Sequence, residues 1–328
     1  MGKSVLVTKR GKVFLDKIQI NDIATCFYVD FPFARGVIFS ECDFDWERFI
    51  EGFKFSLSKN FIEEDALVLG VMIAAGDRAH LDENQSICSA SLLPRFLPAS
   101  IFEKSWKKKF TKKLIFDSVY SQRLSPNERT FGVYPIVANL IDLVSVMRHG
   151  AKAVQLRAKG LDEVEAESIV REAVLISRDF PSTKLFINDY WKLALKYEAY
   201  GLHLGQEDLL SANIISILDS GLALGLSTHS FWEMCFALSF RPSYVACGPI
   251  FPTRAKEMPW RPQGVKNLSY WTRLIECPVI GIGGINSSNI SDIKLIGCAG
   301  AAVIDGLVKN SSRVGNFTFL SKCWGDSA

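Results

Sequence analysis

The sequence predicts an α/β chain, with a (β/α)8 TIM barrel over residues 126–328 and a smaller α+β domain over residues 1–125. Three observations predict it. From Phe131 onward, short apolar runs alternate with stretches of helical spacing. Eight such strand and helix units fit into roughly 200 residues, the size of a small barrel. Every polar cluster with chemical potential falls at the end of an apolar run, and a barrel gathers its strand ends at one mouth. Periodicity alone leaves an open doubly wound sheet standing; the eight-fold count and the placement of the polar clusters favour the closed form.

In chain order, Val5 to Val7 and Val13 to Leu15 flank a Lys-Arg-Gly-Lys turn and predict a hairpin. Asp45 to Leu57 and Glu63 to Ala75 carry apolar residues at helical spacing, with Asp43 or Asp45 placed to cap the first. Glu103 to Lys113 concentrates six lysines around Trp106 and Phe110, which reads as a solvated helix face near a domain boundary. Ser121 to Thr130, with Pro126, reads as the linker. Strands are then expected near Phe131 to Val137, Ala153 to Arg157, Leu185 to Asn188, Gly201 to Leu204, Ala223 to Ser227, Tyr244 to Gly248, Val279 to Ile282 and Ala301 to Ile304. Between them, helices are expected over Leu140 to His149, Asp162 to Asp179, Trp191 to Tyr197, Asp208 to Leu218, Phe231 to Phe240, Leu268 to Ile275 and Ser288 to Ile296.

Composition narrows the function. The 328 residues are 48% hydrophobic, enough for a sizeable core, and a formal charge of +3 gives no global case for nucleic acid binding. The eight cysteines show no CxxC pair and no Cys/His ligand spacing, so they read as reduced structural thiols in a cytoplasmic protein. The start has no long apolar core for a signal peptide, and the run Ala66 to Ala75 is too short to span a bilayer. A soluble protein with no membrane partner is expected, and homo-oligomer formation stays open.

The motifs carry the chemistry. Alternation in Val154 to Gly160 projects Gln155, Arg157 and Lys159 from one side of a strand end, an anion site with an orienting amide. Asn188-Asp189 ends the third strand and Asp208 follows the fourth. Two carboxylates from neighbouring strand ends, with no histidine cluster, suit a hard cation such as Mg2+; the competing role for Asp208 is a helix N-cap. Lys256 lies on a loop after Gly248-Pro249 that is long enough to fold over the mouth, and its point charge suits a phosphoryl group, with Arg254 and Arg261 nearby. Gly281-Ile282-Gly283-Gly284 ends the seventh strand and leaves backbone N–H groups free of side-chain cover, the usual barrel grip on a monophosphate. Gln155, Ser227 and Thr253 are neutral hydrogen-bonders suited to a heteroaromatic ring. His203 alternates with Leu202 and Leu204 and reads as a hydrogen-bonded wall residue rather than a general base. No Ser-His-Asp or Cys-His arrangement emerges, so a covalent hydrolase has no support. Two anion pockets and no acid–base pair point to a reaction in which a diphosphate leaves and a second phosphorylated molecule attacks.

From Tyr134 to about Leu307 the chain resembles the thiamine-phosphate synthase family. The resemblance rests on Gln155-x-Arg157-x-Lys159, Asn188-Asp189, His203-Leu204-Gly205-Gln206-x-Asp208, Gly225-x-Ser227, Gly248 to Thr253 with Lys256, Gln263-Gly264 and Gly281 to Ile285. It implies joining of hydroxymethylpyrimidine diphosphate to hydroxyethylthiazole phosphate, or its carboxylated form. It further implies Mg2+ on Asp189 and Asp208, with the diphosphate held by Arg157, Lys159, Asn188 and Lys256. By the same resemblance Gln155 and Ser227 orient the pyrimidine, while Thr253, Gly284 and the end of the eighth strand at Val303, Ile304 and Asp305 hold the thiazole phosphate. Two positions depart from the family: Ala255 replaces a threonine, and Asp305 places a carboxylate where a small residue is usual. The implied alternatives are a thiazole tautomerase of the same fold and a non-catalytic barrel that senses thiamine phosphate. Asp45 to Ala75 resembles the C-terminal helices of ribokinase-like hydroxymethylpyrimidine phosphate kinases, without a Gly-rich anion loop.

Overall fold

The computed structural model describes residues 5–7, 12–16, 25–31, 34–40, 45–59, 61–75, 95–97, 124–125, 128–253, 262–304 and 313–326. The lysine-rich stretch 104–113, the loop residues Arg254, Ala255, Lys256 and Arg261, and Asp305 lie outside these. The chain divides into two compact units: Met1–Val119 with Ser230–Phe240, and Tyr120–His229 with Arg241–Ala328.

In the first unit, β1 (Val5–Val7) and β2 (Lys12–Asp16) form the expected antiparallel hairpin, with Val5 opposite Phe14. The sheet continues through three strands absent from the sequence reading, β3 (Thr25–Phe31), β4 (Ala34–Ser40) and β5 (Arg95–Leu97), in the order β1-β2-β3-β4-β5. Helix α1 (Trp46–Ser58) starts at Asp45, whose carboxylate accepts from the N–H groups of Glu47 and Arg48. It packs on α2 (Glu63–Ala75) at close range because two glycines remove side chains from the contact. A Cβ at Gly52 would stand 2.9 Å from Ile73, and one at Gly70 would stand 3.2 Å from the Phe49 ring.

The second unit is a closed parallel barrel of eight strands. Its strands are β6 (Gly132–Val137), β7 (Ala153–Leu156), β8 (Lys184–Asn188), β9 (Gly201–Leu204), β10 (Ala223–Thr228), β11 (Tyr244–Cys247), β12 (Val279–Ile282) and β13 (Gly300–Val303), and β13 pairs back onto β6. Helices α3 (Leu140–Arg148) and α4 (Glu163–Ser177) follow β6 and β7, and α5 (Trp191–Lys196) follows β8. The expected helix Asp208 to Leu218 is two, α6 (Gln206–Ser211) and α7 (Ile214–Asp219). Ala212 is extended between them, and Asn213 caps the second by accepting from the Ser216 N–H at 3.3 Å. Helix α8 (Phe231–Leu238) follows β10 in the chain and belongs to the first compact unit. After β11 and β12 come α9 (Gly264–Leu274) and α10 (Ile290–Leu295), and α11 (Arg313–Trp324) closes the set. Helix α9 begins four residues before its expected Leu268, because the polar turn Lys266-Asn267 hides the periodicity.

Inside the barrel, alternate residues of each strand point inward and fill it in layers. The aromatic layer is Phe131, Tyr134, Phe186 and Tyr244, with ring centroids 4.9 Å apart for Phe131 and Tyr244 and 5.1 Å for Phe186 and Tyr244. Glycine on the neighbouring strand makes room for two of these rings. A Cβ at Gly225 would lie 2.2 Å from the Tyr244 ring, and one at Gly201 would lie 2.5 Å from Phe186. The small residues are thus set by the rings beside them.

Candidate active site

Four of the strand ends named from the sequence meet around one end of this barrel. On β7, Gln155 points inward and is buried, the next inward position is Arg157, and the third, Lys159, is exposed. The Arg157 N–H donates to the Val137 carbonyl at 2.8 Å, which carries the β6–β7 pairing one residue past the strand. Lys159 Nζ lies 3.5 Å from Asp189 Oδ2. Asn188, the last residue of β8, is buried, and Asp189 follows it in the left-handed region at φ 64°. That conformation is uncommon outside glycine and easiest for Asp and Asn. Backbone bonds fix it there: Asp189 N–H donates to the His203 carbonyl at 3.0 Å, and Trp191 N–H donates to the Asp189 carbonyl at 2.7 Å. Tyr190 donates its hydroxyl to the Ala158 carbonyl at 3.0 Å, so the ends of β7 and β8 are tied together.

Asp208 sits in the first turn of α6. It is not the N-cap; Gly205 is, with no side-chain cap bond. Its carboxylate folds back over Gly205, where a Cβ would lie 3.2 Å from Asp208 Oδ2, and it faces Asp189. Burial, then the Asp208 charge, pushes the Asp189 carboxyl above its ordinary value, and Lys159 pulls the other way. Two carboxylates held this close are eased by a proton shared between them or by a cation.

Beneath the mouth runs a hydrogen-bonded chain of which the sequence reading named the two ends and His203, as a hydrogen-bonded wall residue, and missed the two tyrosines. Gln155 Nε2 donates to the Tyr134 hydroxyl at 3.3 Å. Tyr134 and Tyr244 share a hydrogen bond at 2.8 Å between their hydroxyls. His203 Nδ1 lies 2.7 Å from the Tyr244 hydroxyl and Nε2 lies 2.8 Å from Ser227 Oγ. Burial, helped by the Arg157 charge, pushes the His203 imidazole down to about 3, so it is neutral at physiological pH and unsuited to donating a proton as an imidazolium. Gln206 Nε2 donates to the Ser227 carbonyl at 2.6 Å, tying β10 to α6. The signal for the tyrosines was present in the sequence: Tyr134 is the third residue of β6 and Tyr244 the first of β11, both on inward positions, yet each reads as plain core.

The loops after β11 and β12 form a second feature. Ile250 N–H donates to the Ile282 carbonyl at 2.9 Å and Phe251 N–H to the Gly283 carbonyl at 3.1 Å, so the two loops zip together beyond their strands. Gly283 and Gly284 have φ of 94° and 68°, and a Cβ on either would stand 2.7 Å from Pro249 or Phe251. Their lack of side chains therefore serves close packing as well as open N–H groups. The Gly284 carbonyl is held from the far side by Asn289 Nδ2 at 3.1 Å and Asn286 Nδ2 at 3.3 Å. Thr253 lies two residues beyond Phe251 and is half-buried, and Val303 ends the eighth barrel strand with Ile304 directly after it. The placements of Lys256 and Asp305 fall outside the described residues. Gln263 ends the β11–α9 loop, its N–H donating to the Pro249 carbonyl at 2.8 Å and its amide to the His229 carbonyl at 2.6 Å.

Known proteins share this arrangement of sequence. Residues 134–307 match the family described as thiamine monophosphate synthase. A thiamine-phosphate synthase of Photorhabdus laumondii is 41% identical over 189 residues, 56% of this chain and 86% of that protein. A thiamine-phosphate synthase of Proteus mirabilis is 39% identical over 188 residues, 57% of this chain and 87% of that protein. Among solved structures, the thiamine phosphate pyrophosphorylase from Pyrococcus furiosus superposes with a TM-score of 0.54 at 26% identity, covering 61% of this chain and 98% of that one. With more than half its length in the match, and that half forming the barrel whose strand ends carry Asp189, Asp208, Ser227 and Gly284, the chain belongs to the thiamine monophosphate synthase family.

Proposed function

We propose that the chain is a thiamine-phosphate synthase, joining a hydroxymethylpyrimidine diphosphate to a hydroxyethylthiazole phosphate and releasing diphosphate. The observation that carries this reading is the meeting of Asp189 and Asp208, with Lys159 Nζ 3.5 Å from Asp189, at one end of the barrel. A tautomerase acting on the thiazole alone has no use for that cluster.

The donor chemistry of the pair fits Mg2+. Both side chains are carboxylates, the hard oxygen donors that Mg2+ takes, and a shell of two carboxylates completed by substrate and water would suit it. Asp189 and Asp208 would hold Mg2+, which would supply charge neutralisation for a diphosphate. The chain does the rest by positioning and charge. Arg157, Lys159 and Asn188 take the remaining diphosphate oxygens, joined by Lys256 from its loop. Gln155 and Ser227 orient the pyrimidine ring over the buried network. As the methylene carbon loses its leaving group it becomes a delocalised cation, and the thiazole nitrogen attacks it. The N–H groups at Gly283 and Gly284, with Thr253 and the end of β13, hold the thiazole phosphate in reach. With His203 neutral and buried, no proton transfer is asked of it. Among the described residues no helix is long and apolar enough to cross a membrane. The eight cysteines without a CxxC pair favour a reducing, cytoplasmic setting for the reaction.

The test is coupling of the two substrates by the full chain, followed as diphosphate release, with Mg2+ and with excess chelator. Mg2+-dependent release that needs both substrates is expected. Turnover of the thiazole phosphate alone would replace this reading with the tautomerase.

A further inference from the structure

We infer that the chain Gln155–Tyr134–Tyr244–His203–Ser227 is a hydrogen-bond wire with one fixed direction, and that this direction makes the site select an aminopyrimidine over an oxopyrimidine. The inference rests on the pyrimidine lying against Gln155 and Ser227, as proposed above. It assigns Tyr134, Tyr244 and His203 as positioning residues for specificity.

The direction follows from counting donors and acceptors. A hydroxyl has one hydrogen to give, and a neutral imidazole has one donating and one accepting nitrogen. Gln155 presents Nε2 to Tyr134, so Tyr134 accepts there and its own hydrogen is left for Tyr244, 2.8 Å away. Tyr244 then gives its hydrogen to His203 Nδ1 at 2.7 Å. His203 must therefore carry its hydrogen on Nε2 and donate to Ser227 Oγ at 2.8 Å. The opposite assignment in the middle of the chain would leave the buried Tyr134 hydrogen with no acceptor, since an amide nitrogen cannot accept, and buried orphan donors are costly. With the Tyr244 hydrogen aimed at Nδ1, that nitrogen accepts, so the ring donates from Nε2 alone and the direction holds.

The two ends of the wire are consequently opposite in character. Ser227, accepting from His203, has its hydroxyl hydrogen free to donate outward. Gln155, donating inward, has Oε1 left to accept. A pyrimidine with an amino group beside an unprotonated ring nitrogen offers the matching donor and acceptor. Its oxo counterpart, with a carbonyl beside a ring N–H, offers the reverse pattern and would leave polar groups on both sides unpaired. A site built this way rejects such an analogue by far more than a shape mismatch would.

Two measurements on the full chain test it. Long-range proton–nitrogen correlation spectra of 15N-histidine-labelled protein, with His203 assigned by its absence in His203→Gln, read the tautomer directly. Hydrogen on Nε2 is expected; hydrogen on Nδ1, or on both, overturns the wire. The second measurement compares kcat/KM for the amino and oxo pyrimidine diphosphates. The wild type is expected to prefer the amino form on the order of 10⁴-fold. In Tyr244→Phe, and in Tyr134→Phe should the first fail to fold, that preference should fall at least ten-fold while the KM for thiazole phosphate stays within about two-fold. A folded variant with wild-type preference overturns the inference. Coupling by Ser227→Ala at the wild-type rate, with the expected His203 tautomer intact, would instead remove the pyrimidine from this face, and the selectivity claim falls with the functional reading while the wire stands.

Discussion

Asp189 faces Asp208 across the ends of β8 and β9, and it does so from a left-handed backbone at φ 64°. The conformation and the chemistry are linked, because only a residue that tolerates that backbone can place a carboxylate there.

Substituting Asp189 therefore separates charge from backbone. Asp189→Asn keeps a side chain at ease in the left-handed region, whereas Asp189→Ala adds about 1 kcal/mol of strain. Both are expected to lose Mg2+-dependent coupling by roughly 10²-fold or more. Thermal unfolding should rank the alanine variant below the asparagine variant. An asparagine variant that responds to Mg2+ like the wild type would take Asp189 out of the metal set.

Asn289→Ala removes a donor to the Gly284 carbonyl and an acceptor for the Asn286 N–H, which lies 2.8 Å from Asn289 Oδ1. The glycine loop loosens while the diphosphate side is untouched. The KM for thiazole phosphate should rise about ten-fold, equivalent to one or two lost hydrogen bonds, with kcat little changed. Steady-state kinetics with each substrate varied in turn decides it; a fall in kcat alone would contradict the assignment of this loop to substrate binding.

Gly225→Ala drives a methyl group into the Tyr244 ring, 2.2 Å from Cζ. A fully packed barrel has nowhere to move that ring, so stability should drop by about 1–3 kcal/mol. Urea unfolding measures the drop, and a loss under ~0.5 kcal/mol would mean that the interior yields more readily than its packing implies.

Asp65 gives a pH dependence of the opposite sign to the usual paired carboxylate. Its carboxylate is buried and accepts from the Phe231 N–H at 2.7 Å. Burial raises it from 3.8 to about 7, against the pull of the Phe231 and Trp232 amides and with a push from Glu64 and Glu233. Between those two values the folded protein holds a proton that the unfolded chain has lost. Stability thus falls as pH rises through that window, by about 1.4 kcal/mol per pH unit, and levels off above it. Asp65→Asn keeps an acceptor for Phe231 and removes the titration. The difference in unfolding free energy between the two proteins should move toward the variant from pH 4 to 7; a constant difference would place the carboxyl at an ordinary value.

The barrel was legible because its strands are buried on both faces and so read as unbroken apolar runs, and because helices at 3.6 spacing separate them. The Asp189 and Asp208 pairing was legible for the same reason: strand ends of a barrel converge. The Tyr134–Tyr244–His203 connection was not, since it depends on the register of β6, β9 and β11 around a closed interior, and a tyrosine on an apolar run looks like any core ring. Strands β3 and β4 left a signal that went unused, for Thr25-Cys26-Phe27-Tyr28-Val29 and Val37-Ile38-Phe39 are aromatic and β-branched runs. No local pattern announces that Phe231 to Leu238, sitting between two barrel strands in the sequence, belongs to a unit with residues over a hundred positions earlier.

That last feature decides how the protein can be cut. Helix α8 is buried along nearly all its length, and it packs on α2 and β5, with Asp65 at its amino end. A fragment beginning near residue 120 would present Phe231, Met234 and Phe236 to solvent on a helix stripped of its companions. Trimming there takes α2 and β5 away from α8, and an aggregating product rather than a minimal catalyst is expected.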